Sequence, residues 1–358
     1  MTAPQPSGRS APYVIMGHAR PTSFPSSAST PASAESAKPA GPIGARVSLN
    51  FSFAKVVAIF TVVLGHFGVR DFGLSVWVPV TFGLFLFAFS SGYFTRLLYG
   101  EQVNRAKFWR KKLERLAVRY WVILAVIAAI VAFKGKTVLH WHSLVHAAGM
   151  SGVLNWFGIR NHSGLGAGLW FFTLLLLFYI AYPYLARMAA RKALAVGMLA
   201  IGFVLAAYLQ HTVHVGHMLW PTAYAFIAGV VFGAQGVRLP AWLAMLAAAA
   251  FSGAMVLLNQ QGIKEWNIAL ITATSLSLAL WLVVGRVPDW PLTRKIAGLE
   301  KYLLEIFLIH TYLFMRPTTN WGLNFLLSLS LIMLASVLVG RAADMLSNAL
   351  FRQRAGRA

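Results

Sequence analysis

The chain has no cysteine among its 358 residues, and it has very few acidic residues. Without cysteine, a disulfide framework and a catalytic thiolate are excluded, and a zinc ion could be held only by histidine or carboxylate side chains. Charged residues make up 11% of the sequence, whereas a soluble domain carries about 25%. Hydrophobic residues make up 58%. This composition indicates a membrane protein.

The charges that are present are mostly positive, since 31 Lys and Arg outnumber nine Asp and Glu and give a formal net charge of +22. A basic chain can bind nucleic acid, but here the basic residues lie between apolar stretches rather than in one polar region. We therefore expect no nucleic-acid partner and take the lipid bilayer as the first partner.

Long apolar stretches recur from residue 51 almost to the end of the chain, each of about 20 residues and thus long enough to cross a bilayer as a helix. We predict an all-α, polytopic integral membrane protein with about ten transmembrane helices. Their predicted limits are 51–69, 75–96, 117–134, 168–187, 193–210, 218–236, 241–259, 266–285, 297–315 and 322–341.

Residues 1–47 differ from the rest, because they are rich in Pro, Ser, Ala and Gly and contain no apolar run that could act as a secretory signal. We expect a disordered cytoplasmic tail there, a transmembrane domain over 48–343 and a short basic C-terminal tail over 344–358.

Lys and Arg are concentrated on the side of the two tails. The loops of the other side hold only Arg70, Lys134, Lys136, Arg160, Lys264 and Arg316. By the positive-inside rule, both termini are cytoplasmic.

The first apolar stretch, NFSFAKVVAIFTVVLGHF, contains one lysine, Lys55, and one histidine, His66. Eleven residues are about three helical turns, so both side chains lie on one stripe, roughly 16 Å apart along the axis. Ionisable residues inside a membrane helix normally face a cavity or a partner, and we therefore expect a polar groove along this stripe. The alternative is that Lys55 extends to the membrane interface and His66 marks the far end of the span.

Polar residues also interrupt three later stretches. The second stretch ends in Ser90, Ser91 and Gly92, whose small size allows a ligand or a neighbouring helix to come close. The basic segment RAKFWRKKLERLAVRY has apolar residues at helical spacing and is typical of a helix in the cytoplasmic interface, where it contacts lipid headgroups or the phosphates of a donor. Glu305 and His310 lie in the ninth stretch about 140° apart around the helix, so we expect them to meet different partners.

Two predicted outer loops are rich in histidine. Histidine can bind metal, but neither loop contains a carboxylate, so we predict no metal site and expect solvated or glycan-facing side chains. The histidines are His140, His142, His146 and His162 in the first loop and His211, His214 and His217 in the second.

Five sequence elements, taken in order, resemble the membrane-bound acyltransferase 3 family. They are KVVAIFTVVLGH, FLFAFSSGYF, RKKLERL, a Leu-Trp-Phe opening of a middle helix at Trp170, and IFLIH. The branch that the chain resembles includes fucose 4-O-acetylase-like and glucan succinyltransferase-like proteins. The similarity runs from about Leu49 to Arg341, and the family also has ten helices. The chain departs from the family pattern at Lys55, where many members have Arg, and at Leu303, where many have Ser.

The resemblance implies an O-acyltransferase that moves an acyl group, by expectation acetyl, from acyl-CoA to a sugar hydroxyl. The acceptor would be a surface polysaccharide or a lipid-linked glycan. Acyl-CoA is then a co-substrate, and no permanently bound cofactor is expected. The resemblance also implies a multi-pass protein of the cytoplasmic (inner) membrane of a bacterium.

The resemblance further implies roles for particular residues. His66 is the candidate general base for the acceptor hydroxyl, although an acyl-histidine intermediate stays open. Lys55, Lys112 and Arg115 would hold the phosphates of the donor. The residues expected to line the site are Ser91, Gly92, Trp170, Glu305 and His310. The alternative function is a secondary transporter or flippase for a polar or glycolipid solute, which ionisable residues inside spans suit equally well.

Overall fold

The computed structural model describes residues 42–72, 77–213 and 218–355, and within these ranges all regular secondary structure is helical. Most of the predicted N-terminal tail, residues 1–41, lies outside the described residues. The first helix begins at Pro42 and the last helix runs to Ala355, so helix extends into both predicted tails. The predicted domain limits stay a prediction.

The described residues form a series of α-helices joined by short connections. In chain order they are α1 (Pro42–Phe72), α2 (Trp77–Tyr99), α3 (Arg105–Phe133), α4 (Trp141–Ala147), α5 (Ser151–Trp156), α6 (Trp170–Ala190), α7 (Lys192–Thr212), α8 (Leu219–Gln235), α9 (Ala241–Gln260), α10 (Asn267–Val284), α11 (Pro291–Ala297), α12 (Leu303–Ile309) and α13 (Trp321–Ala355). Two 3-10 turns, Gly298–Tyr302 and His310–Tyr312, flank α12.

Eight helices of the described ranges are long and apolar enough to cross a membrane, namely α1, α2, α3, α6, α7, α9, α10 and α13. The apolar helix α8 is shorter, with 17 residues. These nine helices correspond to nine of the ten predicted spans. The prediction of an all-α polytopic membrane protein is therefore confirmed.

The predicted ninth span, 297–315, is not one continuous helix, and this part of the prediction is wrong. The chain there forms what we call the broken segment, Pro291–Tyr312, in which the seven-residue helix α12 lies between two 3-10 turns. Hydropathy counts apolar residues but does not detect where the helical hydrogen-bond pattern changes. Such a break is tolerated at membrane depth only where protein surrounds it, and the segment does pack against α1, α3 and α13.

The basic segment 105–120 is not a separate interfacial helix, which corrects a second expectation. It forms the first turns of α3, a continuous helix of 29 residues. The side chain of Asn104 caps this helix by accepting a hydrogen bond from the Lys107 backbone N–H at 3.0 Å. A helix of this length extends about 43 Å. It therefore exceeds the roughly 30 Å hydrocarbon core and carries its basic turns beyond it.

The helices differ strongly in how much of their surface the protein covers. The most extensive contact joins α2 to α8, where the glycines Gly92 and Gly229 let the two backbones meet. By contrast, α7 and α9 expose large apolar side chains such as Val204, Tyr208 and Trp242. Helix α1 packs against α2, α10 and the broken segment, which places Lys55 and His66 among protein neighbours.

Candidate active site

His66 lies in the continuous helix α1, three turns after Lys55, as the eleven-residue spacing predicts. Its ring nitrogen Nδ1 is 2.9 Å from the carbonyl oxygen of Val62. A carbonyl can only accept, so Nδ1 carries the proton and Nε2 keeps its lone pair. The side chain is half-buried. The helix itself therefore fixes the tautomer of His66 that can accept a proton at Nε2.

His310 follows α12 and is held in the same way. Its Nδ1 donates towards the carbonyl oxygens of Phe307, at 2.7 Å, and Ile306, at 3.1 Å. The side chain is buried, and its Nε2 has no hydrogen-bond partner among the described residues. A buried polar atom without a partner is uncommon in native proteins and calls for an explanation. A substrate hydroxyl is a group that could satisfy it.

The two imidazoles meet, although 244 residues separate them in the chain. Their ring centroids are 4.9 Å apart and the ring planes are inclined at 73°. Each ring has its Nδ1 engaged by the backbone, so the contact joins two side chains whose Nε2 atoms each carry the lone pair of the neutral ring. An alcohol beside this pair has a proton acceptor in reach, which is what a transfer to oxygen requires.

Lys55 is paired with Glu300, a residue of the first 3-10 turn that the sequence analysis did not single out. The ammonium of Lys55 donates to Oε1 of Glu300, and the hydroxyl of Ser52 donates to Oε2. Ser52 lies one turn before Lys55 on α1, so α1 engages both oxygens of one carboxylate. Lys55 therefore has a protein partner rather than extending towards lipid.

Within the described ranges, the predicted polar groove between Lys55 and His66 is not present. Ile59 and Val62 lie between them on the same stripe, at steps of three or four residues, and both are fully buried. A stripe on an isolated helix can be assigned from spacing, but what covers it depends on the other helices. The lysine and histidine contacts are thus two separate polar points joined by an apolar interface.

Glu305 and His310 have different partners, as their spacing predicted. Glu305 is fully buried, and its Oε1 lies 3.1 Å from Nε of Arg119 in α3. The contact is an ion pair without hydrogen-bond geometry at either carboxylate oxygen within the described residues. Arg119 also bonds Asp344 of α13 at 2.7 Å. This cluster therefore ties α3, α12 and α13 together.

Aromatic side chains form one wall beside His310. Phe307 lies 6.0 Å from the His310 ring and 4.7 Å from the ring of Phe171 in α6. The neighbouring Trp170, the first residue of α6, is buried and meets Phe171 edge to face at 5.8 Å. Trp170 therefore adjoins this wall through its sequence neighbour Phe171, and Phe307 connects the wall to His310.

Ser91 and Lys112 belong to a second group, which Tyr179 of α6 connects. The Ser91 hydroxyl is 3.4 Å from the Tyr179 hydroxyl, and the Lys112 ammonium is 4.5 Å from the centroid of the Tyr179 ring. Lys112 also lies over the rings of Tyr99 and Phe108, at 5.1 and 5.9 Å. The cation is therefore held by the faces of three aromatic rings.

The remaining two predicted residues have simpler descriptions. Gly92 packs on α8, where an added Cβ would collide with the backbone oxygen of Phe226. Helix packing explains this glycine, in agreement with one of the two readings of its small size. The side chain of Arg115 lies outside the described part of the structure, although its backbone belongs to α3.

Two histidines of the first outer group are not solvated as expected, whereas His162 of the same group is exposed. His142 and His146 lie in the short helix α4 and are buried. Nδ1 of His142 is 2.6 Å from Nδ1 of His140, and Nδ1 of His146 is 2.8 Å from the Ser151 hydroxyl. Burial holds the pKa of His146 below its ordinary value. His211 is exposed, and His214 and His217 lie outside the described residues.

Metal chemistry needs several ligands at one point. Among the described residues, no group of three or more His, Asp or Glu side chains is placed to hold a metal ion. The polar groups described above are instead two imidazoles, three ion-paired carboxylates and the ammonium of Lys112. They are His66 and His310, and Glu300, Glu305 and Asp344. These groups can accept, donate and hold protons, and can bind anions.

Glu300, Ser52 and Arg119 are the residues that sequence reasoning missed. One signal was available for Glu300, because the chain has only nine acidic residues and two of them, Glu300 and Glu305, lie in the ninth apolar stretch. A cation inside one span and carboxylates inside another need partners. The pairing of Lys55 with Glu300 rather than Glu305 could not be chosen without the fold.

The helical body and its internal imidazole pair define a polytopic membrane protein with groups suited to proton transfer. Residues 49–342 match the family described as an acyltransferase domain, Acyl_transf_3. Since this match covers most of the chain, the protein belongs to the membrane acyltransferase 3 family. No curated protein and no solved structure matches the chain.

Proposed function

We propose that this acyltransferase moves an acetyl group from acetyl-CoA to a sugar hydroxyl of a surface polysaccharide or lipid-linked glycan. The observation that carries the proposal is the contact of His66 with His310, two imidazoles from distant parts of the chain whose Nδ1 atoms both donate to backbone carbonyls. We place the protein in the fucose 4-O-acetylase-like and glucan succinyltransferase-like branch of the family.

His66 is the general base of the proposed reaction. Its Nε2 takes the proton of the sugar hydroxyl while the oxygen attacks the carbonyl carbon of the thioester. The tetrahedral intermediate collapses, the carbon–sulfur bond breaks, and the sugar ester and the coenzyme A thiolate are formed. The imidazolium of His66 then returns the proton to the thiolate. His66 suits this role because it is half-buried and therefore reachable, whereas His310 is buried beside it.

The donor is proposed to bind at the Lys/Arg-rich side, the side on which α1 and α3 begin. Lys112 and Arg115 lie on the basic turns of α3 and would hold the donor phosphates. Ser91 lies next to this group through its contact with Tyr179, and it would line the path of the acyl arm. Lys55 can serve as a donor ligand only if a phosphate displaces Glu300 from it.

The acceptor is proposed to bind beside His310 and the aromatic wall. Trp170 and Phe307 are buried aromatic residues of the kind whose rings pack against sugar rings. Glu305 would act indirectly, because its ion pair with Arg119 holds α12 against α3. Gly92 would act through the close approach of α2 to α8.

The proposed reaction also fits a location in the cytoplasmic (inner) membrane of a bacterium with both termini in the cytoplasm. The Lys/Arg-rich side then faces the cytosolic acyl-CoA pool, and the His66 end of α1 faces the outside, where surface glycans lie. Acyl-CoA acts as a co-substrate, with no permanently bound cofactor.

A secondary transporter or flippase is the second candidate, because the broken segment resembles the interrupted helices of transporters. Solute flux in proteoliposomes without any ester formed would favour it. Formation of an ester from acyl-CoA would favour the enzyme.

The proposal is tested by mass spectrometry of surface polysaccharides from cells with and without the gene, combined with labelled acetyl-CoA supplied to membranes. We expect the glycan of expressing cells to carry additional acetyl groups and the label to enter it. Identical glycans in both cells, with no label transferred, would contradict the proposed acceptor. A gain of succinyl instead of acetyl units would correct the donor.

A further inference from the structure

Glu300 has no role in the proposed reaction, yet it is the partner of Lys55. We infer that Glu300 is a positioning residue: its pair with Lys55 sets the register of α12 against α1 and thereby places His310 against His66. This inference rests on the proposed function for its catalytic readout, and its geometry stands on the fold.

The Lys55–Glu300 contact and the His66–His310 contact are separated by the same distance on α1 and on the broken segment. On α1, eleven residues from Lys55 to His66 extend about 16 Å. On the broken segment, ten residues from Glu300 to His310 cover the end of a 3-10 turn and all of α12, which is also about 16 Å at the rises of these helices. The two stretches run in the same direction, and a polar contact joins them at each end.

The interface between the two ends does not fix the register by itself. Ile59 and Val62 on α1 and Ile306 on α12 are fully buried apolar residues. Apolar burial is non-directional, so it favours contact without selecting one alignment strongly. An ion pair with two hydrogen bonds is directional and can select it.

Helix α12 needs such a constraint because it is short. It has seven residues, and 3-10 turns precede and follow it. A helix of that length is marginal without tertiary contacts. Glu300 lies at the third residue of the preceding turn, so a shift there moves α12 and His310 with it.

The geometry of the carboxylate supports a holding role. Ser52 and Lys55, one turn apart on α1, engage different oxygens of Glu300, which constrains both the position and the rotation of the carboxylate. The Lys55 side chain is only 14% exposed and that of Glu300 36%. Glu305 holds the next turn to Arg119 on the opposite flank, so α12 is tied on two sides.

The test is a double-mutant cycle on the full-length protein in membranes, measuring kcat and the KM for acetyl-CoA. We expect Glu300→Gln to lower kcat by about 100-fold, the cost of a misplaced catalytic group, with the donor KM nearly unchanged. In a His310→Gln background the same change should cost almost nothing, because Glu300 acts through His310. Equal fractional losses in both backgrounds would overturn the inference.

Charge reversal separates positioning from donor binding. Lys55→Glu alone should lower kcat like Glu300→Gln, and Lys55→Glu combined with Glu300→Lys should recover activity at least tenfold over the Lys55→Glu single variant, in line with the strength of a restored contact. If Lys55 were instead a phosphate ligand, its reversal would raise the donor KM and the swap would not help. That result would overturn the inference.

Asp289→Asn is the matched control, since it breaks the exposed pair between Asp289, just before the same segment, and Arg294 in its first helix, α11. It should leave kcat unchanged. A thermal-unfolding cycle on the Lys55 and Glu300 variants keeps the inference separate from the proposed function. If the wild type transfers no acyl group, the proposed function is contradicted. If the Lys55 and Glu300 substitutions lower thermal stability additively, the two side chains do not interact, and the inference is overturned.

Discussion

The inner and outer histidines of this protein invite comparison. The inner pair, His66 and His310, comes from elements far apart in the chain, and each Nδ1 is engaged by a backbone carbonyl of its own helix. The outer group around α4 lies within one connection, where ring nitrogens meet each other or Ser151. His146 also has a buried Nε2 without a partner among the described residues. The inner pair is therefore distinguished by the meeting of two distant elements at a half-buried ring. Neither burial nor the number of histidines distinguishes it from the outer group.

The same contrast holds for other pairs of features, one inside the helical body and one at its periphery. Inside, the ion pairs of Lys55 with Glu300 and of Arg119 with Glu305 each join two elements. At the periphery, the exposed pair of Arg294 with Asp289 joins residues that are neighbours in the chain. Substitutions matched across this division should therefore have very unequal effects.

The largest contrast is expected between His310 and His142. His310→Gln removes the imidazole that contacts His66 and should lower turnover roughly 100-fold, the lower range of acid–base contributions. His142→Gln should change turnover by less than about twofold, because the ring lies outside the proposed site. Initial rates of acyl transfer in membranes measure both. Similar losses in the two variants would remove the distinction between the inner and outer histidines.

A contrast in stability is expected between Arg119 and Arg294. Arg119→Met leaves the buried carboxylate of Glu305 without its cation and should cost about 3 kcal/mol of unfolding free energy. Arg294→Met breaks an exposed pair with Asp289 and should have little effect. Thermal unfolding in detergent measures the difference, and equal melting temperatures for the two variants would contradict it.

Two glycines extend the comparison to helix packing. Gly229→Ala places a Cβ against the backbone oxygen of Phe89 and should destabilise the α2–α8 contact by about 1–3 kcal/mol. Gly197 of α7 has open space around it, so Gly197→Ala should be neutral or stabilising by up to about 1 kcal/mol. The yield of monodisperse protein and its melting temperature test this pair. A tolerated alanine at Gly229 would show that the two helices are not in close contact.

The smallest expected effect is a pH dependence from His146. Burial lowers the pKa of this imidazole in the folded state, so folding favours its neutral form. Its contribution to stability is full above the unfolded pKa of about 6.5 and is lost as the pH falls through the lower folded pKa. The melting temperature should therefore fall between about pH 7 and pH 5. His146→Asn should flatten that slope, and an unchanged slope in this variant would contradict the assignment to His146.

Much of the fold could be predicted from sequence because length and hydropathy determine membrane spans locally. The positions of Lys55 and His66 on α1 followed from helical spacing alone. The break around α12 did not, since apolar composition is equally compatible with α and 3-10 geometry. The partners Glu300 and His310 were also out of reach, because each pairing joins residues about 240 positions apart. The groove was wrong for the same reason, as Ile59 and Val62 are covered by other elements.

The most direct test of the central claim is acyl transfer by His66→Ala in membranes where the variant is shown to be inserted and folded. With labelled acetyl-CoA as donor, we predict that the initial rate falls by roughly 10²- to 10⁴-fold relative to wild type. Wild-type transfer by this variant would contradict the account, because no base at Nε2 of His66 would then be needed.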